Sequence, residues 1–153
     1  MGEVEMKKEL TEKQSQQLNE NLKVLGFELL DDQKQKQIEK IKTLLIQKVQ
    51  AGEIEEHFSI TDFLTKAFHK EYSQISRLFS EVEGITIEQF FILQKIEKVK
   101  EWLIYAESNL SEIAWKLGYS SLAHLSAQFK KITGLTPSAF KKIGGSRKSL
   151  DKV

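Results

Sequence analysis

Apolar residues in this chain recur mostly at helical spacings of three and four rather than at the alternation of a strand. Ile38, Ile41, Leu45 and Val49 mark an amphipathic helix that Gly52 ends. Ile60, Phe63, Leu64 and Ala67 mark a second helix. Ile75, Leu78, Phe79 and Val82 mark a third, which stops at Gly84. Residues 86–106 then hold the period without a break. Phe90, Leu93, Ile96 and Leu103 fall on one side and Glu97, Lys100 and Glu101 on the other. Ile113, Ala114 and Leu117 follow on a short helix that Ser111 can cap, with Gly118 as its left-handed turn residue. Ser120 or Ser121 caps the next helix, whose Leu122, Leu125, Phe129 and Ile132 form a narrow stripe before Gly134.

Two parts of this pattern are copies. Residues 60–90 superpose on 110–140 without a gap, with identities at Lys66/Lys116, Ser76/Ser126, Phe79/Phe129, Gly84/Gly134, Thr86/Thr136 and Phe90/Phe140. Ile60/Leu110, Asp62/Glu112, Ile75/Leu125, Val82/Ile132 and Ile85/Leu135 agree in character. Each copy reads as two short helices and a tight turn, a helix-turn-helix whose second helix can enter a major groove. A helical hairpin without DNA contact is the competing reading of either copy alone. The helix between the copies, about twenty residues, spans roughly 30 Å. That is close to the ~34–36 Å turn of B-DNA, so a rigid spacer would set two readers on successive major grooves.

Composition narrows the chemistry. The chain has 153 residues, 40% hydrophobic and 29% charged, with a single proline and no cysteine. Disulfides, thiolate metal sites and cysteine nucleophiles are excluded. No apolar run is long enough to span a membrane, and the charged stretch after Met1 does not resemble a signal peptide. A cytoplasmic, nucleoid-associated protein is expected. The net charge is only +1, but residues 108–153 carry eight basic against two acidic side chains, a balance that favours phosphate. No phosphate-binding glycine loop, serine elbow or HExxH zinc motif occurs. His57, His69 and His124 are scattered, and Glu53, Glu55 and Glu56 read as a solvated loop. No enzyme activity, cofactor or metal is expected.

With Leu125 pointing inward, a rotation of 100° per residue places Ala123, Ser126, Ala127 and Lys130 outward, with His124 and Lys131 at the margin. Small residues let a helix approach base edges. His124 can donate to guanine or phosphate, and Lys130 and Lys131 suit phosphates. Ser120 and Ser121 add helix-terminal donors for a phosphate. In the first copy the outward residues are Ser73, Ser76, Arg77 and Ser80, with Tyr72 and Gln74 nearby. Arg77 sits where a bidentate contact to guanine is possible, or else pairs with Glu81 four residues on. Glu71, Glu81 and Glu83 repel phosphate, so the second copy, recognition helix about 121–133, should supply more affinity than the first, about 71–83.

Residues 110–142 resemble the AraC/XylS family of bacterial transcription regulators. The marks are Ile113-Ala114, Leu117-Gly118-Tyr119, Phe129-Lys130-Lys131, and Gly134 followed by Thr136-Pro137 and Phe140. Gln94–Lys100 looks like that family's connecting helix. The sequence departs from the pattern at His69, Ser80, Lys95, Leu125 and Ala127. The resemblance covers about residues 36–142. It implies a mainly all-α fold, a seven-helix domain with two helix-turn-helix units joined by a long linker helix.

The expected organisation is that domain over 34–142, a disordered basic tail over 143–153 and a short β-α-β segment over 1–32. In that segment strands at Gly2–Met6 and Phe27–Leu30 flank a helix carrying Leu18, Leu22 and Leu25. The segment resembles the second half of a ferredoxin-like heavy-metal-associated module whose cysteine-bearing half is absent. The alternative is a plain strand-helix-strand that packs on the helical domain or pairs across a dimer. The expected function is sequence-specific binding of double-stranded DNA to regulate transcription, with RNA polymerase as a further partner. The expected state is a monomer, or a homodimer through the N-terminal segment. The alternative from another class is a helical protein-interaction module that has lost DNA binding.

Overall fold

The computed structural model describes residues 16–17, 31–105 and 108–151. Residues 16 and 17 are helical, and the remainder of the expected β-α-β segment up to residue 30 lies outside the described residues. The chain divides into two units, residues 1–39 and 40–153. Helix α1 covers residues 31–51, and the second unit then holds α2 (Ile60–Phe68), α3 (Tyr72–Glu83), α4 (Ile87–Tyr105), α5 (Leu110–Lys116), α6 (Leu122–Thr133) and α7 (Pro137–Asp151). No strand occurs among the described residues.

Local chemistry sets most of the boundaries. Ile38, Ile41, Leu45 and Val49 of α1 are fully buried, as their spacing predicts, and Gly52 follows in the left-handed region. At the start of α2, Ser59 Oγ accepts from the Asp62 amide at 3.2 Å. Helix α4 opens with a reciprocal cap. Thr86 Oγ1 accepts from the Gln89 amide at 3.1 Å, and Gln89 Oε1 accepts from the Thr86 amide at 3.0 Å. Helix α7 starts with Pro137 in its first turn, where the missing N–H costs nothing. The cap of α5 differs from expectation. Asn109 rather than Ser111 holds the Glu112 amide, at 2.8 Å, because the helix begins earlier, at Leu110.

The core gathers on α4, which packs against α3, α6 and α7. Its buried side chains, among them Ile87, Phe90, Phe91, Ile96, Val99 and Leu103, occupy more than one narrow face. The two recognition helices bury only the middle of their apolar stripes: Ile75 and Phe79 on α3, Leu125 and Phe129 on α6. Val82, Leu122 and Ile132, expected in the same stripes, stay about two-fifths exposed, and so does Leu93 of α4. Ala67 is exposed as well. Each recognition helix meets few partners, so the edges of its stripe remain open.

Helix α7 continues through Asp151, into the residues expected to form a tail. Tertiary contact overrides the weak helical preference of Gly144-Gly145. Helix α7 packs along α4 so closely that a methyl group on Gly144 would stand 2.7 Å from Ile104 Cγ1.

Candidate nucleic-acid interface

Helices α5 and α6 form the second helix-turn-helix, with residues 117–121 as its turn. Gly118 has φ 77°, and a Cβ there would lie 2.8 Å from the Glu55 carbonyl and 2.9 Å from Ile54 Cγ2. Only glycine satisfies both conditions. The Ile54 amide donates to the Lys116 carbonyl at 2.9 Å, and Ile54 itself is buried. Phe58, further along the same loop, meets Phe63 of α2 and Phe91 of α4 at 5.4 and 5.6 Å. The loop between α1 and α2 therefore ties the turn of this helix-turn-helix to Phe63 of α2 and Phe91 of α4. With α4, it fixes how the two recognition helices are set apart. Nineteen residues of α4 span about 28 Å.

The turn also holds its recognition helix from inside. Ser121 caps α6, its Oγ accepting from the His124 amide at 3.0 Å. The buried Tyr119 hydroxyl donates to Gln128 Oε1 on α6, and its ring meets His124 edge-on at 5.3 Å. Lys95 of α4 places its ammonium 4.2 Å from the Tyr119 ring centroid. Burial pulls the Lys95 pKa down to about 8 and pushes the Tyr119 phenol above its ordinary range. Linker, turn and recognition helix are thus one packed series.

The outward face of α6 matches the expected set closely. Ser120, Ser121, Ala123, His124, Ala127, Lys130 and Lys131 are exposed and Ser126 is half-buried. Ser120 Oγ lies 3.4 Å from His124 Nδ1, which steadies the imidazole at the amino end of the helix. Lys130 and Lys131 pair with no carboxylate among the described residues. The last turn of α6 therefore presents two uncompensated ammonium groups.

Helices α2 and α3 form the first unit, with residues 69–71 as a shorter turn. His69 occupies the left-handed region at φ 53°, the one residue other than glycine to do so among those described. Ser73, Gln74 and Arg77 are exposed and Ser76 is half-buried. The ion pair of Arg77 with Glu81 does not form, and the guanidinium is unpaired among the described residues. Tyr72, expected near the DNA, is half-buried at the start of α3. Its hydroxyl donates to Glu88 of α4, and burial, then that carboxylate, raise its pKa. Glu71 begins α3 without a side-chain cap. Glu83, expected to repel phosphate, is offset by Lys42 at 2.6 Å, which leaves Glu71 and Glu81 as the exposed acidic groups of this helix.

Sequence reasoning did not find the Lys95–Tyr119–Gln128 series or the anchoring by Ile54, because their partners are remote in sequence. Tyr119 after Gly118 was the one available signal, and it marked a motif rather than a contact.

Comparison with known proteins extends this picture. A family model described as a helix-turn-helix domain matches residues 64–143. The probable transcriptional regulator LumQ of Photobacterium leiognathi is 24% identical over 106 residues, covering 69% of this chain and 42% of LumQ. The chain thus spans less than half the length of this curated relative. Among solved structures, the DNA-binding domain of AdpA, a global transcriptional factor in complex with a target DNA, aligns with a TM-score of 0.62 at 18% identity. That alignment covers 72% of this chain and 94% of that one. The C-terminal domain of AraT, a response regulator from Geobacillus stearothermophilus, aligns at 0.58 and 22% identity, over 67% and 84% of the two chains. These likenesses establish the double helix-turn-helix fold.

Proposed function

Because the chain belongs to the AraC-type helix-turn-helix family, we propose that it regulates transcription by binding double-stranded DNA, with α3 and α6 in successive major grooves. The observation that carries this reading is the outward face of α6. Small side chains at Ala123 and Ala127 allow close approach, His124 is oriented at the amino end, and Lys130 and Lys131 stand unpaired at the other. In this arrangement Lys130, Lys131, Ser120 and Ser121 hold phosphates, and His124, Ser126 and the two alanines face base edges. Arg77, Ser73, Gln74 and Ser76 serve the first unit, and Arg77 suits a guanine. Tyr72 positions α3 through Glu88. The reading further implies a site of two unequal blocks, action on RNA polymerase once bound, and a cytoplasmic location at the nucleoid. Among the described residues no helix is long and apolar enough to cross a membrane.

The test is selection from random duplexes at about 0.1 M salt, where phosphate contacts still contribute strongly. Two short blocks about one helical turn apart are expected, the block read by α6 being the more strongly constrained. Enrichment of a single block would remove α3 from the mechanism. No enrichment by folded protein would favour a protein-interaction module, the reading that exposed Glu71 and Glu81 on α3 support.

A further inference from the structure

Away from the recognition faces, the loop after α1 together with α4 and α5 lines a cavity of about 620 Å³, within the ~300–1,000 Å³ range of small-molecule sites. Its lining combines two indoles, Trp102 of α4 and Trp115 of α5, with Glu53 and Glu56 from the loop after α1, and with Lys116 and Tyr119. The indoles differ in their surroundings. Trp102 packs against Gly52, with the ammonium groups of Lys98 and Lys116 at 5.2 and 5.6 Å from its ring. Trp115 is 79% exposed and meets no cation among the described residues.

The carboxylates differ too. Glu55 is drawn to Lys48 at 3.5 Å, whereas Glu53 and Glu56 have no ionic partner among the described residues. Among the lining side chains, these two carboxylates are set against one ammonium, Lys116, which Trp102 already attracts. Lys98 lies outside the lining and pairs with Glu101. The lining thus joins negative charge to an open indole face, the combination that binds organic cations through ring quadrupole and Coulomb attraction together. No three metal-ligating side chains converge among the described residues, so the chemistry favours a bulky, weakly hydrated cation over a metal ion.

We propose that the cavity between Trp102 and Trp115 binds a small organic ammonium ion, with the Trp115 indole over the alkylated nitrogen and Glu53 and Glu56 supplying countercharge. Its occupant would also touch Tyr119, whose hydroxyl holds Gln128 of α6, and so would lie against the group that steadies the recognition helix. This proposal is independent of the DNA reading.

Both tryptophans of the chain line the cavity, so intrinsic fluorescence reports on it directly. The full chain without DNA is titrated with choline, and in parallel with 3,3-dimethylbutan-1-ol, which has the same shape and no charge. A saturable change with choline alone is expected below about 10 mM, the range of a weak small-molecule site. By calorimetry, Trp115→Ala weakens binding about two- to fivefold, the loss of one exposed cation–π contact. Glu53→Gln with Glu56→Gln weakens it by a similar factor. All three positions are exposed, and unchanged thermal unfolding of the variants confirms that they fold. No saturable response to choline, an equal response to the alcohol, or unchanged affinity in both variants would overturn the proposal. None of these outcomes bears on duplex selection, whose failure would leave the titration unaffected.

Discussion

In both helix-turn-helix units a phenylalanine of the recognition helix meets one from the helix that follows. Phe79 lies 5.5 Å from Phe90, and Phe129 lies 5.6 Å from Phe140. Both recognition helices have twelve residues and end on a left-handed glycine, Gly84 at φ 75° and Gly134 at φ 81°. The core of the repeat is therefore held almost without change. The turns and outer faces are not. The second unit has a capped recognition helix, a glycine turn locked under Ile54 and Glu55, and free lysines at the end of α6. The first has an uncapped start at Glu71, a strained His69 and no basic residue in the last turn of α3. Apolar packing constrains what faces inward, and the outer surface is left to specialise. On the proposed reading, the second unit supplies most of the phosphate contact and the first discriminates bases with little charge to contribute.

The largest expected difference between the units concerns their glycines. Gly118→Ala forces a methyl group into the Glu55 carbonyl as well as into an unfavourable φ. It is expected to cost about 3 kcal/mol in urea unfolding. Gly84→Ala meets no atom within 4 Å, and only its φ of 75° is penalised, so about 1 kcal/mol is expected. Equal costs would mean that the loop after α1 does not brace the second unit.

At the DNA, Lys130→Ala with Lys131→Ala should weaken binding about tenfold near 0.1 M salt. The logarithmic salt dependence should become shallower by about 2, as for two lost phosphate contacts. Arg77→Ala should cost only about threefold, but should broaden base preference in the block read by α3. A larger loss from Arg77→Ala than from the lysine pair would reverse the assigned roles.

The helix starts offer a finer comparison. Ser121→Ala removes a cap and should destabilise by about 1 kcal/mol. Glu71→Ser would give α3 the cap that it lacks, and about 0.5 kcal/mol of added stability is expected in thermal unfolding. A Glu71→Ser variant no more stable than the wild type would show that the α3 terminus is already satisfied.

The smallest effect is on pH dependence. Lys95, with its pKa lowered to about 8 in the folded protein, releases its proton there before the unfolded chain does. Unfolding then takes up a proton, so stability rises between about pH 8 and pH 10. Contact with Tyr119 and partial exposure offset the gain, so less than about 1 kcal/mol is expected. Beyond about pH 10 the raised phenols of Tyr72 and Tyr119 oppose it, because unfolding frees them to ionise. Lys95→Met should flatten the rise, and an unchanged profile in that variant would assign it to another group.

Local and periodic features were legible in the sequence. The spacing of Ile38, Ile41, Leu45 and Val49, the stop at Gly134 and the cap at Ser121 all depend on residues within about two helical turns of each other. The offset of fifty was legible because both copies need the same inward side chains for the same fold. Tertiary structure alone decided what depends on distant partners. It bonded Tyr72 to Glu88, stacked Lys95 on Tyr119, and drew α7 past Gly144 onto α4. It also left Trp115 open beside unpaired carboxylates. The division is physical: helix periodicity and caps act through neighbouring backbone and are written in short windows of sequence. Burial, ion pairing and cavities arise only where segments many residues apart compete for the same space.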